Sequence, residues 1–135
     1  MSIHLETGDL INTQQMEVAV KGPDGATHLI LCTGIACIDP RIHETYTFFV
    51  GPQLSRRQFV GATASGALAA IQVYDQNLTG DHGKVALEAK LVSIDANYDA
   101  EFGQVKVIFE VSSTQVITKL SITYNVNILA ELPII

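Results

Sequence analysis

Charge is scarce in this chain. Of its 135 residues, 8 are Lys or Arg and 14 are Asp or Glu, so charged residues make up 16% of the sequence. A typical soluble domain carries roughly 25%. The net charge of −6 and the scatter of the basic residues exclude the clustered Lys and Arg that nucleic-acid binding requires. So few charges predict that some apolar surface is buried against a partner, most simply a second copy of the chain.

Long hydrophobic runs and export signals are missing as well. No segment is both long and apolar enough to cross a bilayer, and the first ten residues, MSIHLETGDL, lack a basic stretch followed by an apolar one. We therefore expect no membrane span and a cytoplasmic location. Nor does a linker divide the sequence, so we expect a single domain over 1–135.

The sequence has two cysteines, Cys32 and Cys37, in one apolar segment at 27–38. If this segment is a continuous strand, the two lie about 16 Å apart and on opposite faces. A disulfide spans at most about 7 Å between Cα atoms, so they could bridge only if Thr33-Gly34 made a tight turn. Two thiols without a nearby histidine are too few for zinc. We expect free thiols, no metal and no cofactor.

Alternation of apolar and polar residues is the strongest positive signal. In 116–128, Leu120, Ile122 and Tyr124 fall on one face, whereas Lys119, Ser121, Thr123, Asn125 and Asn127 fall on the other. This period of two is typical of a half-buried β-strand. The polar face is either a binding surface or simply the solvated side of a sheet.

Further strands are predicted at 3–6, 16–21, 27–38, 45–50, 84–94 and 105–111. Segment 27–38 is apolar on both faces, which predicts a central strand covered on both sides. The last three strands have short connections, which favour an antiparallel meander.

Between these strands lies an alanine-rich segment with a different pattern. Ser55 and Gln58 fit a capping box, and apolar residues then recur at intervals of three and four. The pattern predicts a helix over about 56–74, and hence an α+β fold: an antiparallel sheet of about six or seven strands with this long helix packed on one face. The alternative is an all-β sandwich in which 59–74 forms two strands.

Catalytic signatures are absent: the sequence has no nucleophile elbow, phosphate-binding loop or dinucleotide fingerprint. Two histidines stand beside a carboxylate, His43 next to Glu44 and His82 next to Asp81. Either histidine could serve as a general acid or base in a pocket between helix and sheet. Adjacent strand residues point to opposite faces, so His43 and Glu44 form no ready-made pair, and Asp81-His82 is typical of a turn.

These observations predict a non-catalytic structural or binding module that acts as a homo-oligomer or binds another protein. A small enzyme that uses His43 or His82 is the alternative.

Overall fold

The computed structural model describes residues 2–20, 27–40, 43–73, 88–114 and 117–132, which form an all-β fold. The strands are β1 (Ser2–His4), β2 (Leu10–Ala19), β3 (Thr27–Ile38), β4 (His43–Val50), β5 (Phe59–Val73), β6 (Ala89–Asp99), β7 (Gln104–Ser113) and β8 (Ile117–Glu131). A single 3₁₀ turn, Thr7–Asp9, separates β1 from β2. Within these ranges no helix is long and apolar enough to cross a membrane.

The strands form two sheets of four. Sheet A has the order β1-β4-β7-β6, and sheet B has the order β2-β3-β8-β5. All neighbouring strands run antiparallel except β1 and β4, which pair in parallel. Because β3 and β8 occupy the centre of one sheet, and β4 and β7 the centre of the other, residues far apart in the sequence line a common interior.

The core lies between the two sheets. Its large side chains come from alternating positions of the four central strands, as the period of a strand requires: Ile30, Tyr46, Phe48, Val105, Val107, Phe109, Val111, Leu120, Ile122, Val126 and Ile128 are at most 2% exposed. Phe48 of sheet A and Tyr124 of sheet B have ring centroids 4.7 Å apart. The sheets therefore pack face to face as a β-sandwich.

The predicted helix over 56–74 is wrong, and with it the α+β fold. Its capping box does form: Ser55 N–H donates to Gln58 Oε1 (2.8 Å), and Gln58 N–H donates to Ser55 Oγ (3.3 Å). It caps one turn, after which the chain enters β5, a strand that pairs with β8 from Phe59 to Val73. The fold is thus all-β, as in the alternative, although the segment forms one strand rather than two.

The predicted meander is only half present. Strands β6 and β7 form an antiparallel hairpin, but β8 pairs with β3 and β5 in the other sheet. Strand β3 has the predicted bounds, and the alternation in β8 is confirmed by burial of Leu120, Ile122 and Tyr124. Strand β2 begins six residues before the predicted start at 16, and β6 ends five residues after the predicted end at 94.

Candidate functional site

The structure locates one of the two histidine–carboxylate pairs predicted from the sequence. His43 and Glu44 are the first two residues of β4, and Glu44 Oε1 accepts a hydrogen bond from the backbone N–H of Thr45 (3.3 Å). Asp81 and His82 lie outside the described residues, as does the side chain of His43. General acid–base catalysis by either histidine therefore stays a prediction. Across the described ranges, no three His, Cys, Asp or Glu side chains are grouped as metal ligands.

The outer face of sheet B carries an uncharged surface, which we call the neutral face. Residues paired across adjacent strands project to the same side of a sheet, so the strand register defines its members. They are Ile11, Gln14, Met16 and Val18 of β2, Leu29, Leu31, Thr33, Ile35 and Cys37 of β3, Ser121, Thr123, Asn125, Asn127 and Leu129 of β8, and Gly61, Thr63, Ser65, Ala67 and Ala70 of β5. The first charged side chains along β8 are Lys119 and Glu131, beyond the two ends of this surface.

Apolar side chains are concentrated at the two ends of the neutral face. Met16 is 61% exposed, and Ile11, Val18 and Leu129 are also exposed. A polar row crosses the middle of the face, from Gln14 through Thr33 and Asn125 to Ser65. Because β3 is apolar on both faces, the sequence predicted that other parts of the protein cover both of them. The core covers one side, and no described part of the chain covers the other.

The outer face of sheet A, in contrast to the neutral face, carries charged residues. The same register places Lys90, Asp95, Asp99, Lys106 and Glu110 on it, and Lys106 Nζ lies 3.2 Å from Asp99 Oδ2. A hydrogen bond from the backbone N–H of Phe102 lowers the pKa of the Asp99 carboxyl, and Lys106 and the backbone N–H of Glu101 lower it further. The outer face of sheet A therefore carries the charges expected of a solvated surface, whereas the outer face of sheet B carries no charge over the neutral face.

A second feature is a cavity beside β2, which we call the bulge cavity. The pairing of β2 with β3 skips at Asn12 and Thr13 between the pairs Ile11–Ile35 and Gln14–Thr33. Asn12 takes a left-handed φ of 54° at this point, as residues at β-bulges do. Beside the bulge lies a cavity of about 490 Å³, between the N-terminal segment, β2, β3 and the end of β4.

Tyr124 lies in the wall of the bulge cavity and is paired across the strands β3 and β8 with Gly34. Because Gly34 has no side chain, the phenol of Tyr124 extends over its backbone: a Cβ added at Gly34 would lie 2.7 Å from Tyr124 Cζ. The same ring packs on Phe48. The glycine thus fixes the direction in which the phenol points.

Burial at this wall perturbs two acidic groups. Desolvation raises the pKa of the Cys32 thiol from its ordinary 9.0 to about 11. Desolvation also raises the pKa of Tyr124, and the nearby Cys32 adds to the effect. Both groups are therefore neutral at physiological pH. Cys37 is free as well, and since β3 is continuous, the prediction of two unbridged thiols is confirmed.

The raised pKa predicts slow alkylation of Cys32. In a Cys37→Ser variant, which leaves Cys32 as the sole thiol, we expect iodoacetamide at pH 8 to react about 100-fold more slowly with folded than with urea-unfolded protein, because only the thiolate reacts. Burial of the neutral thiol contributes stability fully below about pH 9. This contribution is lost as the pH rises toward 11, because the unfolded chain ionises first. Equal alkylation rates of the folded and the unfolded protein, measured by mass spectrometry, would contradict burial of the Cys32 thiol.

Sequence reasoning indicated a buried partner surface but did not find the bulge cavity. Among the described residues, the bulge cavity is lined by His4 and by residues of β2, β3, β4 and β8. His43 starts β4, about 16 Å along the strand from Phe48 at the cavity. The alternation of β8 identified the strand face that carries Tyr124, but not the glycine opposite it.

Comparisons with protein-family models, characterised proteins and solved structures give no match to this chain. Its function must therefore be argued from these two surfaces.

Proposed function

We propose that this protein is a non-catalytic structural subunit that binds a second copy of itself through the neutral face of sheet B. The observation that supports this proposal is the lack of charge across all four strands of that face. Five cross-strand rows on four strands cover roughly 650 Å². A stable interface buries about 800 Å² on each partner, so the neutral face is close to the required size.

Charge favours a second copy over a charged partner. Each chain carries −6, so two copies repel one another wherever their carboxylates approach. The neutral face brings no like charges together. A two-fold axis through its polar row would stack that row on its own copy, and amide side chains such as Asn125 both donate and accept hydrogen bonds.

The test is the mass of the particle in solution. Sedimentation at micromolar concentration should give about 29 kDa, twice the 14.6 kDa of the chain. Met16→Lys places a charge within the proposed interface, twice per dimer, and should weaken association by about 100-fold or more. Met16 is already 61% exposed, so the folded monomer should tolerate the lysine.

Val92→Lys is the matched control, since Val92 is 46% exposed on β6 of the other sheet. It should leave the dimer intact. Higher salt should tighten the dimer, because screening weakens the repulsion between acidic chains while the interface itself has no ion pairs to lose. A wild-type chain that sediments as a monomer, or a Met16→Lys variant that stays dimeric, would overturn the proposal.

A cytoplasmic location belongs to the same proposal. Two free cysteines are in keeping with a reducing compartment, where disulfides are rare.

A further inference from the structure

We propose that the bulge cavity binds a small uncharged molecule rich in hydroxyl groups, with the chemistry of a sugar ring. This inference does not require self-association, although Gln14 and Thr33 of the lining also belong to the neutral face. The proposal is based on an unused hydrogen-bonding group in the wall, the chemistry of the lining and the presence of aromatic rings.

The unused group is the hydroxyl of Tyr124. This side chain is 5% exposed and lines the cavity. A buried phenol normally finds a hydrogen-bond partner, as Tyr98 does by donating to the carbonyl of Leu54 (2.7 Å). No described residue is a hydrogen-bond partner of the Tyr124 hydroxyl. With its raised pKa, the phenol stays protonated and can both donate and accept.

The lining disfavours an anionic ligand. Apart from Tyr124, its polar members include Thr13, Gln15, Thr33 and Gln104, whose hydroxyls and amides both donate and accept hydrogen bonds. Gln104 Nε2 already donates to the carbonyl of Gly51 (2.6 Å), which fixes its position. No Lys or Arg of the described chain lines the cavity, so an anion would find no counter-charge there.

Phe48 and Phe49 add the apolar part of the site. Sugar rings present C–H groups on one face and hydroxyls around the edge, and they suit a site with an aromatic side and a polar rim. The volume of about 490 Å³ lies within the range of small-molecule sites. Glu6 and His4 stand at the N-terminal side of the cavity, where a carboxylate would further disfavour acidic ligands.

The experiment is a binding screen by saturation-transfer NMR and calorimetry on the full chain. The probes are glucose, galactose and N-acetylglucosamine, with glucuronate and glucosamine as charged counterparts. We expect at least one neutral sugar to bind with a Kd of about 1 mM or tighter, and glucuronate to bind more weakly. Tyr124→Phe, which removes only the hydroxyl, should weaken binding about threefold to tenfold and leave Tm unchanged.

Tyr98→Phe is the matched control: it removes a hydroxyl that is hydrogen bonded away from the cavity, and it should lower Tm without changing sugar binding. Three results would each overturn the inference. They are no binding by any neutral sugar, equal binding by the Tyr124→Phe protein, and a fall in Tm for Tyr124→Phe like that for Tyr98→Phe, which would give the Tyr124 hydroxyl a structural role instead.

Discussion

Replacing Phe109 by alanine should lower the free energy of unfolding by about 3–5 kcal/mol, the cost of removing a buried aromatic ring and leaving a cavity. Phe109 is 1% exposed in the centre of sheet A. Its ring stacks on Tyr46 (5.2 Å between centroids) and meets Phe48 edge-on (6.1 Å). Urea unfolding followed by circular dichroism would measure the loss, which is a large share of the roughly 5–15 kcal/mol available to a small protein.

The neighbouring residue provides the control for this substitution. Ile108 precedes Phe109 on β7 but projects to the outer face of sheet A, where it is half-buried. Ile108→Ala should therefore cost clearly less, about 1–2 kcal/mol. Similar losses for Ile108→Ala and Phe109→Ala would mean that the two faces of β7 are not divided between core and solvent.

The second large effect is expected for Gly34→Ala. The new methyl group would lie 2.7 Å from Cζ and 2.9 Å from Cε2 of Tyr124, closer than carbon atoms approach. The phenol, which packs on Phe48, has to shift from this position. Overpacking of this kind costs about 1–3 kcal/mol, and thermal unfolding would measure it. The displaced hydroxyl should also weaken sugar binding in the bulge cavity.

Two further variants isolate the cause. Gly61→Ala places a methyl group on sheet B where nothing lies within 4 Å, and it should be neutral or stabilising by up to about 1 kcal/mol. In a Tyr124→Leu background, where the ring is gone, Gly34→Ala should lose most of its penalty. If the penalty persists in that background, the cost comes from the backbone of β3 and not from the phenol.

The sequence predicted most of the central strands, because β3, β4, β7 and β8 each bury regular faces of large side chains. It failed at β5 for a physical reason. Register shifts between Phe59 and Gly61, between Leu68 and Ala70, and between Gln72 and Val73 break the alternation, so the apolar residues fall at intervals that resemble a helix.

The small residues of β5 were also misleading. Alanine favours a helix in isolation, but at Gly66 the neighbours on both sheets leave no room for a side chain. A Cβ there would lie 2.9 Å from the backbone oxygen of Thr123 on β8 and 3.2 Å from both Leu91 and Ile94 of β6. Pairing with β8 and close approach to β6 outweigh the local preference, and neither contact can be read from the segment itself.

The two candidate surfaces differ in how far the sequence reveals them. The scarcity of charge indicated a surface buried against a partner. The apolar residues on both faces of β3 indicated that this strand lies at the centre of that surface. The bulge cavity depends on the pairing of Gly34 with Tyr124, 90 residues further along the chain. It also depends on a bulge at Asn12, and composition indicates neither.

The order in which the strands are joined has a consequence for synthesis in the cell. Strand β3 has apolar residues on both sides, and its partner β8 emerges from the ribosome about 5 s or more after it at roughly 20 residues per second or fewer. Until Leu129 arrives opposite Leu29, neither sheet B nor the shared interior can close. The nascent chain therefore exposes the apolar residues of β3 until β8 has emerged, and we expect chaperones to bind it during this interval.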